Sequence, residues 1–367
     1  AGIGQSTGAG PGADAACGGF GLMLKGPGIR LILNVVLATV GVVLPGVAMA
    51  DGHDVCEAAP PAVISLSYES RYAGSGDARA EIDAESEAEV LSALKPLDAF
   101  VDSLAFGTSG LYEGSAKARQ ATAACLLDKM AEWAAADALS DLSTVTAELT
   151  VGSRYSAFAL VLWQTLPYAP DHPERDNILK WLEKRVDEQV AFWADAPSGA
   201  REGNLRAWAA LAASALAEQS DRSDLRDWAT ASVRDVMCTA EADGSLPQEM
   251  SRGRFALHYQ LHAIAPLVTA SVFLERQGVR ASAICDEALH RIVHFAMSDL
   301  ADGSKTAAKT GKAQSLFDGS DHVTSFQLAW IEQYLLLKRS ETLEATAEAL
   351  RPLIYTKLGG NQTEIWQ

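Results

Sequence analysis

From about residue 86 onward, apolar residues return every three or four positions along the chain, which is the spacing of one face of an α-helix. Ala, Leu, Glu, Arg and Gln dominate this part, and all five favour helices. No alternating run rich in β-branched residues is long enough to build a sheet. The pattern predicts helices near residues 87–103, 116–138, 154–166, 174–195, 203–219, 222–241, 253–264, 267–277, 281–300, 323–338 and 341–354.

The predicted helices are ten to twenty residues long and joined by short connections, which favours antiparallel helical hairpins. Plausible end signals support the boundaries: Asp243-Gly244 and Gln277-Gly278 close helices, and Ser223-Asp224 can cap the next one. Repeated hairpins that curl into an α/α toroid would leave a concave face for a ligand. A helical solenoid is the open alternative at this point.

The N-terminal part of the chain has the pattern of an export signal. Residues 1–22 are rich in Gly and Ala and are expected to be an upstream segment without structure. Lys25 and Arg30 then precede an apolar run at residues 31–44, and an Ala-Met-Ala triplet follows it. The run is short for a membrane span. We therefore predict a signal peptide over residues 23–50 and a periplasmic or secreted protein without membrane association after cleavage; an uncleaved anchor is the alternative.

The rest of the chain divides into three parts. Residues 51–85 contain a Pro-Pro pair and many small residues, which predicts an extended lead-in across the surface. The helical pattern of residues 86–355 predicts the toroid domain. Residues 356–367 are expected to form a polar tail.

Composition and charge restrict the ligands. With 47 acidic and 30 basic residues the formal net charge is −17, which argues against a nucleic-acid partner because the protein lacks the excess of basic groups that phosphates require. A polyanion would have to meet a local basic cleft. Among cysteines and histidines we find no zinc-type spacing: His290 and His294 are four residues apart but lack the glutamate of a zinc-protease motif. We expect no metal and no cofactor.

The segment around residues 252–262 carries the strongest candidate chemistry. Arg252 and Tyr259 are seven residues apart, so on one helix they would share a face, with Phe255 and His262 flanking the same stripe. A cation, a phenol and an imidazole in a row are unusual on a face that packs into an apolar core. A solvated, salt-bridged helix face is the plain alternative.

Several separated blocks of the chain form an ordered series. The central ones read GNLRAWAA at residues 203–210, DLRDWA at 224–229 and DGSLPQEM at 243–250, followed by Arg252, Ala256-Leu257 and Tyr259. These blocks resemble the alginate lyases of polysaccharide lyase family 5. Shorter matches keep the family order: Cys56 with Pro60-Pro61, Ser70-Arg71-Tyr72 with Gly74-Ser75 and Ala78-Arg79, Cys125 with Trp133-Ala134 and residues 136–139, residues 311–314 and residues 329–332. The resemblance covers most of residues 56–335, and ordered blocks are more specific than any single motif.

The resemblance implies an all-α fold, an incomplete α/α toroid of antiparallel hairpins, that cleaves a uronic-acid polymer by β-elimination. Asn204 and Arg252 stand where the family neutralises the sugar carboxylate, and Tyr259 where it transfers a proton. Arg71, at a position where the family usually has lysine, would hold a neighbouring carboxylate. Trp208 would stack on a sugar or lie in the core. The implied partner is an acidic polysaccharide, and we expect a monomer.

The resemblance also pairs Cys56 with Cys125. For Cys238 and Cys285, a second bridge and two buried thiols both remain open.

One departure from the family concerns the base of the reaction. The family has Asn-Asn-His where this chain reads Gly203-Asn204-Leu205, and leucine neither accepts nor donates a proton. Tyr259 could act as both base and acid, or His262 could replace the imidazole, with His258 the less favoured substitute because it points about 100° away from Tyr259 on a helix. Alternatively the protein only binds its polymer. We predict a lyase for polymannuronate, with a catalytically impaired polyuronate-binding protein and a toroidal glycoside hydrolase as alternatives.

Overall fold

The structure, a computed structural model, describes residues 56–74 and 79–367. The predicted upstream segment at 1–22, the predicted signal peptide at 23–50 and the first residues of the lead-in lie outside the described residues. Every helix and strand in the described part belongs to one compact unit, residues 58–367.

Helices make up most of this unit. They are α1 (Ala84–Gly107), α2 (Ala116–Ala135), α3 (Val145–Thr150), α4 (Gly152–Thr165), α5 (Arg175–Asp195), α6 (Asn204–Ser220), α7 (Ser223–Met237), α8 (Pro247–Met250), α9 (Ala256–Arg276), α10 (Ile284–Asp299), α11 (Ser304–Thr310), α12 (Ile331–Leu337), α13 (Glu341–Leu350) and α14 (Gln362–Trp366). Short strands accompany them: β1 (Ser65–Leu66) pairs in parallel with β2 (Asp141–Leu142), and β3 (Ile354–Tyr355) pairs antiparallel with β4 (Gly360–Asn361). The all-α prediction is confirmed.

Helix α6 forms the centre of the packing and contacts α4, α7 and α9. Its buried face is rich in alanine, so neighbouring backbones approach closely. A Cβ added to Gly152 on α4 would lie 2.9 Å from the backbone nitrogen of Ala209 on α6. The helix pair therefore depends on small residues at this crossing.

Two predicted helices, near 253–264 and 267–277, are in fact the single helix α9. Pro266 lies inside α9 and removes one backbone donor, which ordinarily breaks or kinks a helix. The segment around Pro266 is nevertheless buried almost throughout, from Ala263 to Leu274. Packing of this apolar stretch on its neighbours outweighs the missing hydrogen bond. The periodicity also missed the short helices α3, α8, α11 and α14.

The lead-in and the C-terminal residues are both packed against the helices. In the lead-in, Leu66 and Tyr68 are buried, and the carbonyl of Pro60 accepts a hydrogen bond from Trp133 Nε1 at 3.0 Å. Residues 356–367, predicted as a polar tail, contain β4 and α14. Trp366 of α14 stacks on Trp163 of α4 with ring centroids 5.3 Å apart.

A hairpin arm forms the last part of the lead-in, directly before α1. We use this name for residues 71–74 and 79–83, which pair antiparallel through Tyr72 and Ile82. The backbone N–H of Asp83 donates to the carbonyl of Arg71 at 2.9 Å. The Asp83 side chain then caps α1 by accepting from the N–H of Ser86. The arm is thereby fixed to the start of α1, and it carries Arg71 and Tyr72.

The four cysteines of the described residues are all disulfide-bonded. Cys238 and Cys285 form a disulfide with Cα atoms 5.5 Å apart, while Cys56 and Cys125 are each disulfide-bonded.

Within the described ranges, Gly253–Arg276 is long and apolar enough to cross a membrane, but 83% of its most apolar window is buried inside the protein. That degree of burial is typical of a core helix.

Candidate active site

Tyr259 lies in the first turn of α9 and is held there by the surrounding loops. The backbone N–H of Leu257, at the start of the helix, donates to Gln314 Oε1 at 3.0 Å. The tyrosine hydroxyl forms a hydrogen bond with the hydroxyl of Tyr72 and accepts one from Arg71 Nη2 at 3.4 Å. The hairpin arm and the start of α9 therefore meet at the two phenols.

Arg252 packs against these phenols. Its Cζ lies 4.0 Å from the ring centroid of Tyr259 and 4.9 Å from that of Tyr72, and its Nη2 donates to the carbonyl of Arg79 at 3.0 Å. The prediction that Arg252 and Tyr259 share one helix was wrong. Arg252 precedes α9 in the turn after α8, where Gly253 has a φ of +58° and interrupts the helix. The turn nevertheless places the Arg252 guanidinium over the Tyr259 ring.

The surroundings keep Tyr259 protonated. Burial raises the pKa of Tyr259 to about 12; the guanidinium of Arg252 opposes this shift, and the neighbouring phenol of Tyr72 adds to it. At neutral pH the tyrosine is consequently a proton donor, in contact with cations that can stabilise its ionised form once the proton has left.

Asn204 is the first residue of α6 and is bound by a buried carboxylate. Its backbone N–H donates to Glu249 Oε1 at 2.8 Å, and its Nδ2 lies 3.2 and 3.0 Å from the two carboxylate oxygens. Gly203, the residue before it, has no side chain that could cap the helix. The Glu249 carboxylate instead accepts the hydrogen bond from the first backbone N–H of α6. Desolvation raises the pKa of Glu249 to about 7, against hydrogen bonds from Asn204 and the charge of Arg252.

The two remaining predicted site residues, Trp208 and His262, contact each other. Trp208 is 1% exposed, so neither face of its ring is available to a sugar, and it belongs to the core. Its Nε1 donates to His262 Nε2 at 3.0 Å. The ring centroid of His262 is 6.3 Å from that of Tyr259.

Basic groups surround the phenols from more than one segment. A Cβ added to Gly253 would lie 3.9 Å from both Ala80 of the hairpin arm and the Cγ of Lys312. Arg71 and Arg252 thus come from separate parts of the chain to the two phenols, and the side-chain stem of Lys312 lies near the turn that carries Arg252. In a protein of net charge −17, this is the local basic surface that a polyanion requires. No cluster of His, Cys, Asp and Glu that could hold a metal ion occurs in residues 56–74 and 79–367.

We predicted Arg71, Arg252, Asn204 and Tyr259 as site residues from the sequence. We did not predict the residues that form hydrogen bonds with them in the structure. Tyr72 appeared only as part of a matched block, and Glu249 was not singled out. The one available signal for Glu249 was its place three residues before Arg252 in the block at 243–250.

The arrangement defines a class of site. A proton-donating phenol among guanidinium groups, with a carboxamide nearby, suits a polymer whose sugars carry carboxylates. Comparisons with known proteins show the family to which a protein with such a site belongs.

Residues 156–306 match the family model described as alginate lyase. The alginate lyase of Pseudomonas fluorescens is 30% identical over 326 residues, which cover 86% of this chain and 85% of that protein. The alginate lyase of Cobetia marina is 28% identical over 326 residues, with 86% and 85% covered. The chain belongs to the alginate lyase family.

Solved structures agree on the fold. A variant of alginate lyase A1-III complexed with a tetrasaccharide matches with a TM-score of 0.70 and 22% identity, covering 85% of this chain and 86% of the other. Alginate lyase A1-III from Sphingomonas species A1 matches with a TM-score of 0.68 and 20% identity, covering 85% and 87%. The predicted α/α toroid is therefore confirmed.

Proposed function

We propose that the protein is a polysaccharide lyase that cleaves an alginate-like polyuronate, with polymannuronate as its substrate, by β-elimination and without a cofactor. The observation that carries the proposal is the stack of the Arg252 guanidinium on the Tyr259 ring, 4.0 Å from its centroid, next to Arg71. This stack places a proton donor, Tyr259, next to two cations that can bind a carboxylate. The family membership of the chain supports the same reaction.

The reaction makes three demands on the site. The proton on C5 of a uronate is weakly acidic until the adjacent carboxylate is neutralised, so donors must bind that carboxylate and the charge that develops on it. We assign this role to Arg252; Asn204, which the family resemblance also suggests, is buried and has its Nδ2 on the two carboxylate oxygens of Glu249. Arg71 would hold a neighbouring sugar carboxylate. Tyr259, protonated at neutral pH, would give its proton to O4 as the C4–O4 bond breaks.

Stereochemistry favours mannuronate as the substrate. In mannuronate the C5 proton and the O4 leaving group lie on the same face of the sugar. Proton-transfer groups on one side of the sugar suffice for this arrangement, and Tyr259 is the proton-transfer group that we assign. Guluronate would require groups on opposite faces.

A non-catalytic polyuronate-binding protein is the second candidate, and one observation favours it. Leu205, which replaces the family histidine, packs into an apolar cluster with Trp193 and Ala209. Helix α6 therefore offers the Asn204 amide at this point but no titratable group beside it. A glycoside hydrolase on the same scaffold is the third candidate.

The three candidates differ in their products. Purified protein is incubated with polymannuronate, polyguluronate and glucuronan while ultraviolet absorbance is followed. Absorbance from a C4=C5 double bond identifies a lyase, new reducing ends without absorbance identify a hydrolase, and affinity without either product identifies a binding protein.

Tyr259→Phe tests the proton donor within the lyase hypothesis. We expect it to abolish turnover and leave polymer binding largely intact. Tyr334→Phe is the matched control, because that hydroxyl bonds to His290 Nδ1 at 2.9 Å on α10 and not to any residue assigned to the site. Turnover that survives Tyr259→Phe would refute the assignment.

We also propose that the protein is a periplasmic or secreted monomer. The basic and apolar pattern of residues 23–50 supports export. N-terminal sequencing of protein recovered from the periplasm tests this, with Asp51 as the expected first residue. Light scattering during gel filtration tests the monomer.

A further inference from the structure

A cleft between α10, α11 and the turn that joins α12 to α13 lies apart from the candidate active site. Its volume is about 970 Å³. This volume is at the upper end of the range of about 300–1,000 Å³ that is typical of ligand sites. None of the residues that we assign to the candidate active site lines it. The cleft is therefore large enough to be a binding site of its own.

Three cations of this cleft are not neutralised by a carboxylate. Lys338 and Arg339, in the turn between α12 and α13, are exposed, and neither forms an ion pair with another described residue. Lys305 on α11 is also exposed, and its Nζ donates to Ser298 Oγ at 2.6 Å rather than to an acid. In a chain of net charge −17, these cations form a local basic surface that attracts an anion.

The other charged groups of the cleft restrict where an anion could lie. Lys309 is neutralised by Glu241 and Asp243, whose carboxylate oxygens are 2.7 and 2.9 Å from its Nζ. Asp286 and Glu287 line the cleft at the start of α10 and are exposed. An anionic ligand is repelled from that end, so the part of the cleft beyond His290 is the favourable one.

Lys338 lies close to the imidazole of His290. Burial lowers the pKa of His290, and the charge of Lys338 lowers it further against the opposing charges of two glutamates. An electrostatic effect of this kind requires the ammonium to be near the ring. His290 is consequently uncharged at neutral pH, and the positive charge at this point of the cleft belongs to Lys338.

Helix α10 places the cations along a line. Lys338 lies beside His290 and Lys305 beside Ser298, and these two positions of α10 are eight residues apart, or about 12 Å along the helix. His294 lies halfway between them and is exposed in the cleft. The positive charges are thus spaced along the cleft and do not converge on one point.

This spacing indicates the chemical class of the ligand. A single small anion needs cations that converge, whereas a polymer with one carboxylate on each sugar needs cations at intervals. Val293, Met297 and Leu343 also line the cleft, and such apolar side chains can pack on the C–H faces of sugar rings. A nucleic acid is disfavoured because the protein as a whole is strongly acidic.

We propose that this cleft is a second polyuronate site, which holds a stretch of the polymer away from the point of cleavage. Sugar carboxylates pair with Lys338 and Arg339 in one part of the cleft and with Lys305 in another. No bond is made or broken there. The inference rests on the proposed function for the identity of the polymer, but its test measures binding and not turnover.

The test is calorimetric titration of the full chain carrying Tyr259→Phe, with hexamannuronate at low salt. We expect Tyr259→Phe to bind this oligomer without degrading it, and we expect two molecules to bind each chain. Lys338→Glu, added to Tyr259→Phe, should weaken one of the two sites by about 5-fold or more, because it replaces an exposed ion pair by a repulsion. The affinity of the other site should not change.

Lys117→Glu is the matched control. It makes the same change of charge at an exposed position on α2 that does not line the cleft, so both affinities should equal those of Tyr259→Phe alone. A second measurement maps the contact directly. Hexamannuronate with carbodiimide-activated carboxylates forms amide bonds with nearby lysine Nζ atoms, and peptide mapping should find the sugar on Lys338 or Lys305 but not on Lys117.

The outcomes separate this inference from the proposed function. A single binding site that Lys338→Glu does not affect, or an equal loss with Lys117→Glu, refutes the inference whether or not the parent cleaves polymannuronate. If the parent forms no unsaturated product and Lys338→Glu still weakens one of two sites, the proposed function fails and the cleft remains a polyuronate site. Loss at one site with Lys338→Glu alone, together with sugar attached to Lys338 or Lys305, supports the inference.

Discussion

Replacing the buried carboxylate that caps α6 should make the protein more stable at high pH. Glu249 is 1% exposed, and desolvation raises its pKa from 4.5 to about 7. Because the folded state holds the proton more tightly than the unfolded state, the free energy of unfolding falls as the pH rises from 4.5 to 7. Below pH 4.5 both states are protonated and no penalty exists.

The size of the penalty follows from the shift. Raising the pKa from 4.5 to about 7 corresponds to about 3 kcal/mol, fully developed only above pH 7. Glu249→Gln removes the charge and with it this cost. The glutamine nitrogen would face the Asn204 amide, but Asn204 Oδ1 is buried without a hydrogen-bond partner in the described structure, and rotation of that amide supplies an acceptor.

The assay is urea unfolding of parent and Glu249→Gln at several pH values. The difference in unfolding free energy should move in favour of the variant by about 2 to 3 kcal/mol between pH 5 and pH 8. Glu113→Gln, at an exposed position, controls for the general response to pH. A difference that stays constant across this range would show that Glu249 is not a desolvated acid and would refute the reasoning.

Three further predictions concern stability. Cys238→Ser opens a disulfide spanning 47 residues and should lower the unfolding free energy by about 4 kcal/mol in the loop-entropy model; an unchanged urea midpoint would contradict it. Trp366→Ala removes the stack on Trp163 and should cost about 3 kcal/mol, whereas an unstructured tail would show no change in melting temperature. Trp208→Phe keeps the core filled but loses the donor to His262, so it should cost about 1 kcal/mol in urea unfolding, and no loss would show that the indole hydrogen bond is dispensable.

Local pattern predicted the helices well where packing agreed with it. The spacing of apolar residues reports which face of a segment is buried, and it located α1, α2 and α4 to α7 within a few residues. It failed at Pro266, where a local rule predicted a break and burial on both sides of the proline kept α9 intact. Short helices such as α8 contain too few residues to show a period.

Only part of the candidate site could be predicted in this way. The blocks around Asn204, Arg252 and Tyr259 are recognisable as motifs, and their place near one another followed from the family. Tyr72 and Tyr259, in contrast, are 187 residues apart in the chain, and their contact depends on the hairpin arm. Sequence spacing also suggested His262 as the substitute base, whereas in the structure its Nε2 accepts a hydrogen bond from the buried Trp208 indole.

The sequence by itself determined the helical class, the acidic balance and the identity of the family, because each is written in residue types and local periodicity. Only the tertiary structure decided that Trp208 is a core residue, that Glu249 is a buried acid and that the hydroxyls of Tyr72 and Tyr259 meet. Desolvation and hydrogen-bond partners arise from segments that are distant in the chain, and these set the pKa values on which the chemistry depends.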